Sequence, residues 1–194
     1  MRNVEDLESV KNFKVETLEI AGLHSVLEAL HLPFGGKNKS HTYENHSLVE
    51  EDGVKVFMNS TRCAISEKDK NLIHALINNG DEHGKCIRGF IVYAKITAPR
   101  YWWSEADTYR IGTERLASNS TMHQQGKGLD TFDLVTMKEA LPESTMQTRV
   151  QWFSYQTLRR IYFQRRNHRL PQWHTFCDWI ETLPFAEEFI TFEK

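Results

Sequence analysis

Residues 98–123 read APRYWWSEADTYRIGTERLASNSTMH, and no other stretch of the chain packs aromatics, charges of both signs and small hydroxyl residues so closely. The first half predicts a helix and the second half a loop. Pro99 suits a first helical turn, where its missing N–H has no partner to lose, and Gly112 is a stop signal. At helical spacing Trp102, Ala106 and Tyr109 fall on one stripe, and Trp103, Asp107 and Arg110 on its neighbour. The first stripe suits a core. The second sets a Trp beside a carboxylate and a guanidinium, which are costly to hide unless they meet each other or a ligand. After Arg115, the run Ser118, Asn119, Ser120, Thr121 crowds short donors and acceptors together, a pattern that serves either an anion or a plain turn.

On the N-terminal side, residues 90–96, FIVYAKI, are the clearest strand of the chain, β-branched and aromatic throughout. This strand belongs within a sheet and delivers the chain to the helix. Residues 14–20 predict another strand, with imperfect alternation of Val15, Leu18 and Ile20, ended by Ala21 and Gly22. Ser25 then suits an N-cap for a helix over 26–32, with Glu28 as its capping-box partner and Pro33 as its stop. Residues 34–53, with Gly35, Gly36, His41 and His46, show no period and read as a long excursion without an assigned role. Ser66 is the expected N-cap of the next helix, which carries Leu72, Ile73, Leu76 and Ile77 at helical spacing and ends at Gly80.

On the C-terminal side, residues 125–128 form a break, 131–140 a helix before Pro142, and 148–153 a strand or an extended approach. From Tyr155 the pattern is helical and puts Tyr155, Arg159, Tyr162 and Arg166 on one stripe. Such a face either clasps a phosphate and stacks on a base or is a solvated face with snorkelling arginines. Residues 171–183 predict a last helix with Trp173, Phe176, Cys177 and Ile180 inward, broken by Pro184, and Cys177 as an inert thiol.

Composition narrows the classes. The length of 194 residues suits one domain over the whole of 1–194. A net charge of -2 with pI near 6.5 argues against extended nucleic acid as a partner. Three cysteines without paired spacing suggest neither a disulfide framework nor zinc, and suit a reducing cytoplasm. No apolar run approaches a membrane span, and no secretory signal is visible. The nine histidines are scattered, with no His-x-x-x-His pair for a metal. His83 and His123 have the right intrinsic pKa for acid–base work but read as surface or structural residues. No nucleophile elbow, P-loop or dinucleotide fingerprint occurs.

Read without gaps, residues 108–120 resemble the signature of flavin-dependent thymidylate synthases, Arg-His-Arg-x-x-Ser-x-Asn-x-x-Ser-x-Arg. Arg110 matches the second Arg, Thr113 the first Ser and Ser118 the second Ser, while Thr108, Tyr109, Arg115 and Ser120 replace the first Arg, the His, the Asn and the last Arg. Upstream, GDEHGKCIRGFIVYAKITAP resembles the family's Gly-rich turn, Glu-His pair and strand. Downstream, LRRIYFQRRNHRLPQW resembles its late helix, with Arg166 as the nucleotide-binding Arg, and Tyr155 and Ile161 where the family has flavin-contacting Asn. The whole pattern is also similar to phage and prophage proteins of gut Firmicutes described by their likeness to these synthases.

The resemblance implies an α/β (α+β) fold, a mixed sheet flanked by helices, and a homo-oligomer, tetrameric in the family. It implies a nucleotide or phosphate ligand held by Arg110, Thr113, Ser118 and Arg166, with Trp103, Tyr109 and Tyr162 as stacking surfaces. No residue is assigned a catalytic role, because the altered signature positions are those that hold flavin and nucleotide in the family. Three classes of function follow. A binding protein sequesters a nucleotide signal of host defence without turnover. A synthase binds FAD and methylates a uracil nucleotide. An inhibitor binds a host defence protein.

Overall fold

The computed structural model describes residues 4–34, 45–51, 54–60 and 65–193. In chain order a short helix α1 (Glu8–Lys11) leads into strand β1 (Lys14–Ala21) and helix α2 (Leu23–His31), followed by a hairpin of β2 (Asn45–Glu51) and β3 (Val54–Ser60). Helix α3 (Glu67–Asn78) and a 3-10 turn, Gly84–Arg88, precede β4 (Ile91–Pro99), α4 (Arg100–Ala106) and β5 (Thr113–Ser118). Then come α5 (Thr121–Gln124), α6 (Thr131–Glu139), β6 (Met146–Ser154), α7 (Tyr155–Arg165), α8 (Pro171–Glu181) and a π-helical turn, Glu187–Thr191.

Strand β4 is the spine. Its side chains alternate as a pleated strand requires, so Val92, Ala94, Ile96 and Ala98 are all fully buried on one face. The sheet order is β1-β4-β6-β5. Each of its three pairings is antiparallel, so the mixture in this α/β architecture is of helices with strands and not of strand directions. In β1 the register shifts between Thr17 and Glu19. That bulge puts Val15 and Ile20 against the core together and leaves Leu18 exposed, which is why the sequence alternation is imperfect.

The buried face of the sheet meets an aromatic layer from α4 and α8. The ring of Trp102 lies 4.6 Å from that of Trp173, and Phe176 lies 5.8 Å from Phe153 on β6. Trp173, Phe176, Cys177 and Ile180 all face inward, as their helical spacing predicts. Leu158 and Ile161 bury the inner side of α7.

Ser66 caps α3 by accepting from Asp69 N, again as expected. Its hydroxyl also donates to Asp69 Oδ2 at 2.8 Å, and the other carboxylate oxygen meets His31 Nε2 at 2.9 Å, tying α3 to α2.

Three local expectations need correction. Helix α2 starts at Leu23 and is capped by Gly22, not Ser25: Gly22 takes φ 93°, and a Cβ there would lie 1.9 Å from Gly89 O, so only glycine fits this close approach. The second half of the 98–123 stretch is strand β5 rather than a loop, and α4 ends at Ala106, well before Gly112. Of the excursion over 34–53, residues 35–44 and 52–53 lie outside the described residues, while 45–51 pair with 54–60 as a hairpin.

Candidate functional site

The site is built where the chain leaves α4. Thr108 satisfies the helix end by donating its hydroxyl to Glu105 O at 2.7 Å, and residues 108–112 then cross to the start of α7. Ser154 caps α7 by accepting from Thr157 N. The same pair holds the crossing segment: Ser154 N donates to Gly112 O at 2.7 Å, and Thr157 Oγ1 donates to Ile111 O at 2.6 Å. Gly112, at φ 73°, turns the chain into β5. A Cβ there would lie 2.4 Å from Thr157 Oγ1 and 2.5 Å from Ser154 Oγ.

A carboxylate below this segment organises its wall. Glu105 Oε2 receives Arg165 Nη1 at 2.7 Å and the Trp173 indole N–H at 2.9 Å, with His168 Nε2 at 3.4 Å. Arg165 Nε in turn donates to the Tyr109 hydroxyl at 2.8 Å, and that hydroxyl donates to Gln164 Oε1 at 2.8 Å. Tyr109 is therefore fixed at both its lone pair and its proton. It forms a rigid aromatic edge, not a mobile side chain.

Three clefts run along this wall and along α7. One of about 400 Å³ lies between Tyr109, Arg110, Thr113, Arg115 and Gln151, with the carboxylates of Asp107 and Glu114 also in its lining. A second, of about 410 Å³, lies between Arg110, Ile111, Thr157, Arg160 and Gln164. The third, of about 570 Å³, shares Arg160 and Gln164 with the second and extends past Gln156, Arg159 and Phe163 to Arg166. Arg110 faces the first two, and among the described residues it has neither an ion pair nor a hydrogen bond. Thr113 accepts an amide hydrogen from Gln151 Nε2, which leaves its own hydroxyl proton free to donate into the first cleft.

The other arginines are engaged to different degrees. Arg160 stands 3.6 Å from Asp81 in an exposed pair. Arg159 donates to the carbonyls of Ile190 and Phe192, at 2.6 and 2.8 Å, and its guanidinium lies over the rings of Phe163 and Phe192. Burial lowers its pKa from the usual arginine value, with Asp81 opposing. Arg166 donates to Glu193 Oε1 at 2.7 Å, and that contact raises its pKa. Tyr162 donates to Glu181 Oε1 at 2.7 Å, and burial together with that carboxylate pushes its phenol up.

Of the residues singled out from the sequence, Tyr109, Arg110 and Thr113 come together around the first cleft. Arg166 lines the far end of the third, with Tyr162 beneath its guanidinium at 5.8 Å. Trp103 does not join them. It is 1% exposed, donates its indole N–H to Gln147 O at 3.0 Å and is covered by the Arg149 guanidinium at 4.1 Å. Ser118 sits at the opposite end of β5, about 15 Å along the strand from Thr113.

The hydroxyl-rich turn after Ser118 is spent on structure. Asn119 pairs with the backbone of Thr148 through Oδ1 and N, both at 2.9 Å, and Thr121 accepts from Lys138. The stripe of Tyr155, Arg159, Tyr162 and Arg166 packs toward the π-helical turn, α8 and residues 192–193. The neighbouring stripe, with Arg160 and Gln164, lines both the second and the third cleft, whereas Arg159 and Arg166 line only the third. Sequence reading misses Arg160, Gln164 and Gln151; for Arg160 the signal available is a rotation of about 100° around α7 from Arg159, and for Gln151 it is the alternation of β6, which buries it beside Arg149.

The described residues hold no group of three or more His, Cys, Asp or Glu side chains placed for a metal ion. Burial pushes the Cys177 thiol up to about 12, which keeps it protonated and unreactive at neutral pH. No described helix is long and apolar enough to cross a membrane.

No protein-family model matches the sequence, and no curated protein matches it either. The fold has solved counterparts. Thymidylate synthase X from Helicobacter pylori, solved with FAD and dUMP, aligns with TM-score 0.62 at 13% identity over 92% of this chain and 96% of that one. PolB, a UMP/dUMP methylase from Streptomyces cacaoi bound with 5-Br dUMP, aligns with TM-score 0.57 at 14% identity over 93% of this chain and 96% of that one. At such identities the shared property is the fold, and this chain has the fold of flavin-dependent thymidylate synthases.

Proposed function

We propose that the chain binds a nucleotide, or another ligand carrying a phosphate, in the clefts beside α7 and holds it without turnover. Arg110 carries this reading. Its guanidinium lines two clefts and makes no ion pair among the described residues, beside the free hydroxyl proton of Thr113 and the fixed edge of Tyr109; of the two carboxylates in the first cleft, Asp107 is taken by Arg149 and Glu114 lies on β5. A planar guanidinium suits the oxygens of a phosphate, and Arg160 and Arg166, each beside an exposed carboxylate, add further guanidinium groups along α7. The solved neighbours bound with dUMP, 5-Br dUMP and FAD support a nucleotide as the ligand class.

The Helicobacter neighbour was solved with FAD, and two positions of this chain weigh against a flavin held in the family's manner. Tyr155 and Ile161, which the resemblance matches to the flavin-contacting Asn, are both 1% exposed, with Tyr155 donating its hydroxyl to Pro184 O. Neither reaches a cleft. Their burial supports binding without reduction, so that such a site acts as a sink for a nucleotide, including a signalling nucleotide of host defence. A homo-oligomer belongs to the same reading. It is supported by the apolar side chains that residues 111–135 leave exposed, Phe132 foremost.

Calorimetric titration with dUMP, UMP and inorganic phosphate tests the proposal. Wild type is expected to bind, and Arg110→Ala to bind about tenfold to a hundredfold more weakly, the worth of one charge-assisted contact. Equal affinity in the variant would overturn the assignment of Arg110. Flavin absorbance in the purified protein would restore the synthase reading.

A further inference from the structure

Among the three arginines of the third cleft, Arg166 alone meets a carboxylate at full hydrogen-bonding distance, and that carboxylate belongs to Glu193, which lines the same cleft. The residue before it is firmly seated. The Phe192 carbonyl accepts from Arg159 at 2.8 Å, and its ring lies 4.1 Å from that guanidinium and stacks on His74 at 4.3 Å with 19° between the planes. Glu193 extends from this anchor with its side chain 70% exposed, against 35% for Arg166. The anchor is half-buried against the core and the contact it delivers is wet. An ion pair of that kind forms readily and is readily exchanged.

We infer that Glu193 is an internal competitor for the ligand's anionic group: its carboxylate occupies Arg166 in the free protein and gives way when a phosphate enters the cleft. This regulation rests on the reading that the α7 clefts bind a phosphate ligand. Its geometry is that of a strap clipped at Phe192 and Arg159, with only the carboxylate exchanging. The apparent affinity is then reduced by the fraction of molecules in which Arg166 is occupied. For an exposed pair this amounts to about two- to sixfold.

The test is titration of inorganic phosphate and UMP into wild type, Glu193→Gln, Glu187→Gln, Arg166→Ala and the Glu193→Gln/Arg166→Ala double variant. Glu187 is an exposed carboxylate on the adjoining turn, away from Arg166, and controls for net charge. The inference expects Glu193→Gln to bind about two- to sixfold more tightly than wild type. It expects Glu187→Gln to match wild type, and the gain to vanish when Arg166 is absent. Equal binding by Glu193→Gln and wild type overturns the inference while leaving the binding reading intact. An equal gain in Glu187→Gln, or in the Arg166→Ala background, overturns it in the same way. If neither wild type nor Glu193→Gln binds either probe, the binding reading fails and the inference fails with it.

Discussion

Arg149 is 6% exposed, on the sheet face that also carries Ile96 and Ala94, and a guanidinium in that position is tolerated because a carboxylate, an amide oxygen and an aromatic face meet it. Nη1 donates to Asp107 Oδ1 at 2.6 Å, Nε donates to Gln147 Oε1 at 2.9 Å, and the Trp103 ring lies against its face. In the sequence a Trp, a carboxylate and a guanidinium share one stripe and need mutual satisfaction. The carboxylate does find a guanidinium, but it comes from β6 rather than from Arg110. That exchange releases Arg110 to the clefts. Asp107→Ala should lower stability by about 1–3 kcal/mol in urea unfolding, because it strands a buried charge. Arg149→Met should cost less, since it removes the charge together with its need for a partner. A larger loss from Arg149→Met would show that packing on Trp103 dominates.

At the scale of elements, the joint between β5 and α7 places Arg110. The Ser154 cap, the Thr157 hydroxyl and Gly112 form one closed contact, so helix start and site segment stand or fall together. Gly112→Ala puts a Cβ into a positive-φ position and against two hydroxyls. It is expected to destabilise by about 1–3 kcal/mol in thermal unfolding and to weaken dUMP binding beyond what Thr157→Val alone would do. Unchanged dUMP affinity would separate the joint from the site. This joint is only partly legible in the sequence. Gly112 stands out as a punctuator, but TERLAS, residues 113–118, reads as loop because an edge strand exposed on both faces has no apolar alternation to display. The hairpin of β2 and β3 goes unread for a related reason: its strands, residues 45–51 and 54–60, show only weak period.

For the whole molecule, the surface given by residues 111–135 has no counterpart elsewhere among the described residues. Phe132 is 78% and Val135 50% exposed on α6, which buries no residue at all. If this face is where copies meet, Phe132→Ser with Val135→Ser should shift sedimentation velocity to the smaller species without changing the thermal midpoint of the monomer. A single species in both proteins would move the oligomer elsewhere. Periodicity and capping by themselves determined β4, α3, the inward face of α8 and the start of α7, since each is encoded by residues within a turn or two of one another. Only the tertiary structure decided which arginine is open to a ligand. Arg110, Arg159 and Arg166 look alike in sequence, and what separates them is the counter-charge or carbonyl each meets: none among the described residues, the carbonyls of Ile190 and Phe192, and Glu193. Those partners lie about 27 to 33 residues away along the chain, beyond the reach of any local pattern, and only folding sets the distance over which charge is neutralised.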